Sequence, residues 1–364
     1  MAKLPFATKN FVSPAPPGKG TVVVSPARLV HSAVTVGATP LALGGVPRTG
    51  IELLWRAAMV LSSLEERDGY WHKTNAYSRL DPSEKGAVSY FLGMTQAKIT
   101  CELLLNLPHL MHVDAALALK GYVANVSRPD LIGVDLRTMA YTVAVEAKGR
   151  SGGRDAKALT TAKRQASLMP TVLGATSGLA VASMAYFGRK GRWEACLEDP
   201  AWPYDDAPDI SVEALLVAYY RPVVALTSGT ERDRTDDGRL TTYLPLIDVY
   251  ISVPEAVVDA LDELVLLRQI PEEVVQAQGE LVRAAVSQAL PGDGESVRGN
   301  TGKSIIAAEE DEQPATCIGL DGIRITLGDS WFDRAQADIG PGVRPQYAGP
   351  QPQGLPVRRT SSTL

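Results

Sequence analysis

At 364 residues, 45% hydrophobic and 21% charged, the chain is long enough to bury one large core or two modest ones, and too apolar to be a disordered polyelectrolyte. Its three cysteines, Cys101, Cys196 and Cys317, stand far apart, which excludes a disulfide framework or a zinc knuckle and fits a reducing compartment. The net charge of −5 conceals an uneven distribution: from Lys120 to Arg192 twelve Lys and Arg stand against four Asp and Glu, a balance of +8, so the remainder carries −13.

Residues 1–48 are rich in Pro, Gly, Thr and Val without helical period. They are predicted to form an N-terminal arm with one or two short strands, TVVVSPARLV being the best candidate. MAKLPFATKNFVSPAPPGKG lacks the apolar core of a signal peptide. Residues 49–200 are predicted to be an α/β core. IELLWRAAMVLSSLEER carries apolar residues at helical spacing. A second helix is expected over Pro82 to Leu105, with Asp81 as N-cap, Pro82 in the first turn and Glu84 three residues after the cap. HLMHVDAALALKGYVANV is apolar without a decisive period. RPDLIGVDLRTMAYTVAVEAKGR reads as two strands about a polar loop, residues 155–169 as a helix leaving a Gly-Gly turn, and LAVASMAYFG and RWEACLE as strands. Residues 169–188 carry no charge but are broken by Pro170, Gly174, Gly178 and Gly188, so they read as a helix end, a loop and a strand rather than a membrane span. No membrane association and a cytoplasmic location are expected. The element order predicts an α/β fold with helices flanking a central mixed sheet.

Beyond residue 200 the pattern predicts a mixed, largely helical C-terminal appendage, 201–290. It holds a helix at 211–228, a strand at 241–253 and two amphipathic helices over 254–290, with Pro271 in the first turn of the second. That pair suits a protein partner. Residues 291–338 read as a flexible linker, opening with PGDGESVRGNTGKS, and then a hairpin, ATCIGL-DG-IRITLG, with Asp321-Gly322 as a two-residue turn. Residues 339–364, rich in Pro, Gly and Gln, are predicted to be disordered. GNTGKS is not a P-loop: Val297 stands five before Gly302 where that motif has glycine, and no strand leads in.

Charge at the ends of two apolar strands is the informative feature. Glu146 and Lys148, two apart on a strand, share a face. If LIGVD and YTVAV pair antiparallel, Asp135 opposes Tyr141 and counting back sets Asp130 opposite Glu146, with Cβ atoms about 4.5–5.5 Å apart. Carboxylates that close repel, and one keeps its proton unless a cation lies between them. A hard divalent cation with oxygen ligands resolves the conflict. Mg²⁺ keeps several waters when two carboxylates hold it, so it can activate one and grip a phosphate oxygen. Lys148 adds positive charge where negative charge develops, or positions the water. This is chemistry for phosphodiester hydrolysis.

Pro129-Asp130 followed by Glu146-Ala147-Lys148 closing an apolar strand resembles the signature of the PD-(D/E)XK nuclease superfamily. The resemblance spans about Pro82 to Glu198, including a helix before the strand meander and another after the Glu-x-Lys strand. It implies a restriction-endonuclease-like core that binds Mg²⁺ or Mn²⁺ through Asp130, Glu146 and the carbonyl of Ala147, with Lys148 as catalytic lysine. It also implies an acid on the preceding helix, for which Glu102 is the first candidate and Glu84 the second, and a glutamine on the following helix, Gln165. The substrate implied is nucleic acid, DNA rather than RNA, in defence against foreign DNA or in DNA processing. Arg150, Arg154, Lys157, Lys163 and Arg164 read either as a rim that tracks phosphates or as a solvated helix face. His109 and His112 lie near the motif but fit packing or capping roles better than metal ligation, and Asp135 has the wrong parity to join Asp130. Trp71 and His72 sit in an aromatic turn that either meets a base or covers the core. The alternative readings are an inactive nucleic-acid-binding or assembly module of the same fold in a multiprotein complex, and an unrelated α/β protein with neither metal nor nucleic-acid affinity.

Overall fold

Alternation starts at the second residue: Ala2, Leu4, Phe6 and Thr8 point inward and Lys3 and Lys9 outward, which makes β1 (Ala2–Lys9) a strand with one strongly apolar face. The computed structural model describes residues 1–11, 16–36, 46–119, 128–135, 142–168, 172–173, 178–199, 210–227, 232–265, 267, 270–289 and 315–331. The chain divides into two units, Met1–Leu327 and Gly328–Leu364, and all elements below belong to the first. β1 pairs antiparallel with β2 (Lys19–Val24), after which Ser25 caps α1 (Pro26–Thr35) by accepting the Arg28 N–H at 3.0 Å. The segment expected to be an arm is therefore core, with Leu4, Val22, Val24 and Leu29 fully buried. TVVVSPARLV divides at Ser25, because Pro26 cannot extend a ladder but fits the first turn of a helix.

The helix expected over IELLWRAAMVLSSLEER is α2 (Val46–Ser63), and LEER leaves it as β3 (Leu64–Arg67), paired with β4 (Tyr70–Lys73). Asp68 and Gly69 both have positive φ, 54° and 73°, as a two-residue hairpin turn requires. α3 (Asn75–Arg79) precedes α4 (Pro82–Leu105), where Asp81 and Glu84 form the full capping box and Asn106 ends the helix in a left-handed conformation. The apolar stretch without a period divides into β5 (Leu110–His112) and α5 (Val113–Leu119). Then follow β6 (Leu131–Val134), β7 (Thr142–Gly149), α6 (Ala156–Ala166, capped by Asp155), β8 (Val172–Leu173), β9 (Gly178–Phe187) and β10 (Trp193–Glu198).

β5, β6 and β7 form an antiparallel meander, and the crossover through α6 returns the chain so that β9 runs parallel to β7. β10 turns back antiparallel to β9, and β1 joins it in parallel. The sheet order is β3-β4-β1-β10-β9-β7-β6-β5, with β2 also on β1. Val143, Val145, Ala147, Val181 and Ala185 share a core with Leu92 and Ala97 of α4. Ala182 and Met184, of opposite parity, pack with Ala158, Leu159 and Ala162 of α6. Helices therefore cover both faces of a mixed sheet.

The remaining elements are β11 (Ile210–Ser211), paired with β8, and α7 (Val212–Thr227), buried along its whole length. After these come β12 (Asp233–Arg234), β13 (Arg239–Leu244), β14 (Val249–Pro254), α8 (Glu255–Leu261), α9 (Glu272–Ala289), β15 (Thr316–Ile318) and β16 (Arg324–Leu327). The single strand expected at 241–253 is a hairpin, β13 and β14, and a second sheet forms in the order β12-β13-β14-β16-β15. α8 and α9 pack against α7 and each other, so the amphipathic pair covers its apolar stripe largely within the chain. The last hairpin lacks the two-residue turn. Gly319 N–H donates to the Ile323 carbonyl and Gly322 N–H to that of Gly319, both at 2.9 Å, and Gly322 takes φ +78°, enclosing a three-residue loop. The linker at 291–314, the GNTGKS segment within it and the tail from 339 lie outside the described residues. No helix among the described residues is long and apolar enough to cross a membrane.

Candidate functional site

Leu131 pairs with Val145, so one further step in register sets Asp130 across from Glu146. Asp130 is held from both neighbouring strands. Its carbonyl accepts the Val113 N–H at 3.0 Å at the end of β5, and its Oδ2 accepts the Ala147 N–H of β7 at 2.9 Å. Glu146 is only 1% exposed. Its Oε1 pairs with the Lys148 ammonium on the same face of β7, while its Oε2 is buried without a hydrogen-bond partner. Burial, and then the charge of Asp130, push the Glu146 carboxyl up to about 7 against the pull of Lys148. Asp130 is also raised, by burial, with the Ala147 N–H and Lys148 opposing.

α4 crosses the end of β7 almost in contact. A Cβ on Gly149 would land on the Ser89 carbonyl, and one on Gly93 would lie 2.8 Å from the Gly149 nitrogen. This crossing sets Tyr90 beside the Lys148–Gly149 end of the strand. Burial first, then the charges of Asp130 and Glu146, raise its phenol to about 12. On the other side His112, which pairs with Leu131, accepts the Asp114 N–H at 3.3 Å on Nδ1. Burial lowers its pKa while Asp114 and Asp130 oppose. Asp114 in turn is ion-paired with Arg128, two residues before Asp130. The sequence alone does not mark Tyr90 and Asp114, because the glycine contacts and strand pairing that bring them here join distant segments.

The other predicted site residues disperse. α4 is 24 residues long, and Glu102 lies roughly 14 Å along it beyond Gly93. Glu102 Oε1 accepts the Leu320 N–H at 2.9 Å, so it is not the helix acid of this site; Glu84 is spent in the capping box. Gln165 is half-buried on the last turn of α6 and makes no described contact with the acids. Asp135 is at the far end of β6, roughly 16 Å from Asp130. Among the expected rim cations, Arg150 pairs with Asp155 at 3.0 Å and Lys163 with Glu198, while Arg154, Lys157 and Arg164 are exposed. Trp71 covers core, its Nε1 donating to the Val24 carbonyl at 3.0 Å, and His72 is buried against Arg67.

Glu102 belongs instead to a buried polar network. Lys98 Nζ lies 3.4 Å from Glu102 Oε2 and 3.6 Å from Asp321 Oδ2, and it donates to Tyr219 Oη at 2.8 Å and to the Pro108 carbonyl. Asp321 also meets His31 Nε2 at 3.0 Å and accepts from Tyr219, and its own carbonyl accepts from Tyr220 at 2.7 Å. Against the cost of burial, His31 and Lys98 hold the Asp321 carboxyl well below the usual range. His109 is here too, 2.9 Å from Tyr220 Oη, and burial takes its pKa down to about 4. It is a packing residue. The network also explains the wider hairpin turn, since Asp321 faces the interior rather than solvent.

A hard cation would find two carboxylates set opposite each other, one with an unpartnered buried oxygen. Among the described residues no group of three or more His, Cys, Asp or Glu is spaced to hold a metal, so water would have to complete the coordination. Comparison of the chain with protein-family models, curated proteins and solved structures finds no match.

Proposed function

We propose that the chain is a divalent-metal-dependent nuclease with a restriction-endonuclease-like core, hydrolysing phosphodiester bonds of nucleic acid, DNA in preference to RNA. The observation that carries the reading is Glu146: buried, unpartnered at one oxygen, opposite Asp130 and sharing a strand face with Lys148. A carboxyl in that position is costly unless a cation or a proton joins it. The order of α4, the β5–β6–β7 meander, α6 and β9 agrees with the architecture the motif implies.

In this reading Asp130, Glu146 and the Ala147 carbonyl hold Mg²⁺ or Mn²⁺, which when bound supplies Lewis acidity and an activated water. Asp130 is oriented by the Ala147 N–H, so its free oxygen is directed rather than left to rotate. Lys148 lies on the same face of β7 as Glu146 and pairs with it, where its side chain can offset charge that develops on the phosphate. Tyr90 stays a neutral phenol at neutral pH and can donate a hydrogen bond beside the acids.

The test is cleavage of plasmid, linear duplex, single-stranded DNA and RNA in Mg²⁺, Mn²⁺ or EDTA, with Lys148→Ala alongside. Metal-dependent cutting that falls at least about 100-fold in the variant is the expected result. Cutting that survives in Lys148→Ala, or none with any metal, overturns the reading.

A further inference from the structure

Next to the acid pair, two helices present aromatic rings to solvent. Trp55 of α2 is 49% exposed and Tyr90 of α4 is 36% exposed. Half-buried Phe91 joins them, its ring 4.7 Å from Trp55 at 86° and 5.2 Å from Tyr90 at 79°. Arg56 lies over the Phe91 ring at 5.6 Å, and Ile51, one turn before Trp55, is 65% exposed. The exposed surface is therefore apolar and aromatic, and edge-to-face packing from below holds the rings in place.

Aromatic rings on a surface fit an apolar protein segment or a nucleobase, and the charge around them decides between the two. Tyr90 borders the β7 end that carries Lys148 and, one residue past Gly149, the half-exposed Arg150. Glu52, on α2 with Trp55, is answered by Arg56 at 2.5 Å. Rings set among the acids and cations of a phosphodiester site, with Arg56, Lys148 and Arg150 on the cationic side and Asp130 and Glu146 placed for a metal, match the two faces of a nucleotide, a flat base and a charged phosphate. A paired base hides its faces in the duplex stack, whereas an unpaired base offers them.

We infer that Trp55 and Tyr90, backed by Phe91, form a stacking platform for unpaired bases, and that the substrate presents a single-stranded segment to the Asp130–Glu146 site. This inference rests on the nuclease reading and adds its substrate class. The platform orders the bases that flank the scissile phosphate, while Lys148 and Arg150 meet the backbone.

Binding in EDTA separates the platform from catalysis. The probe is a fluorescein-labelled oligothymidylate of about 20 nucleotides, with a duplex of the same length beside it, read by anisotropy. Trp55→Ala and Tyr90→Ala are each expected to weaken single-strand binding by roughly 5- to 150-fold, the range for one lost base stack, and to leave duplex binding unchanged. Trp55→Phe, which keeps a ring, is expected to bind near the wild-type level. Thermal unfolding of each variant checks the fold. Unchanged single-strand affinity in both alanine variants overturns the platform, even if metal-dependent cutting is present and is lost in Lys148→Ala. Absence of cutting by wild type with any metal instead marks failure of the nuclease reading. Sedimentation showing a wild-type dimer that Trp55→Ala dissociates also overturns the inference, because the rings would then join two copies.

Discussion

Replacing Glu146 by glutamine tests the acid pair with no substrate present. The folded chain holds this carboxyl near 7 rather than 4.5, through burial first and the charge of Asp130 second. An acid whose folded pKa lies above its unfolded value favours the folded state while protonated. Its contribution is complete below about pH 4.5 and is lost as pH rises through about 7. Raising the carboxyl from 4.5 to about 7 amounts to about 3 kcal/mol at most, and relaxation around the buried acid brings the expected change to about 1–3 kcal/mol. The glutamine side chain has the same shape and nothing to ionise. In urea unfolding with EDTA, Glu146→Gln should therefore gain on wild type by that amount between pH 5 and pH 8.5. Addition of Mg²⁺ or Mn²⁺ at a hundred times its dissociation constant should stabilise wild type by about 2.7 kcal/mol and the variant by much less. Parallel pH profiles in EDTA, or equal stabilisation by metal, would refute the reasoning.

Two further substitutions probe the frame around the site. Gly149→Ala drives a methyl group into the Ser89 carbonyl, so α4 must withdraw from β7; a loss of about 1–3 kcal/mol in urea unfolding is expected, and unchanged stability would contradict the close crossing. Lys98→Met removes the cation shared by Glu102 and Asp321 and leaves these buried acids to Arg28 and His31, an expected loss of about 2–4 kcal/mol by the same measurement, below the cost of a wholly unpaired charge; a loss below about 1 kcal/mol would mean that Arg28 and His31 suffice without Lys98.

What could be read in the sequence was local. The start of α4 is written in four consecutive residues, Asp81 to Glu84, and a capping box needs nothing more. The facing of Asp130 and Glu146 follows from strand parity and a short loop, a count that distant residues cannot alter. What escaped depends on long separations. β1 looks like part of an arm until β10, nearly two hundred residues later, supplies its partner. LEER continues the helical spacing of α2, and only its pairing with YWHK draws it into a strand. Glu102 lies on the right helix, but its distance from the α4–β7 crossing, marked by two glycines, takes it to another cluster. The last hairpin obeys a buried side chain instead of the usual preference of Asp-Gly for a two-residue turn.

The buried network has a consequence for synthesis. Lys98 and Glu102 leave the ribosome about 220 residues ahead of Asp321, which at about 5–20 residues per second is a wait of roughly 10–45 s. During that interval α4 carries two charges destined for the interior with one of their main partners still unmade. The nascent chain therefore has reason to keep this part of α4 wet and the core around it open, and to seal it only when the final hairpin arrives. Truncation before residue 321 should leave more than a missing hairpin: it leaves a core whose last counter-charge never comes.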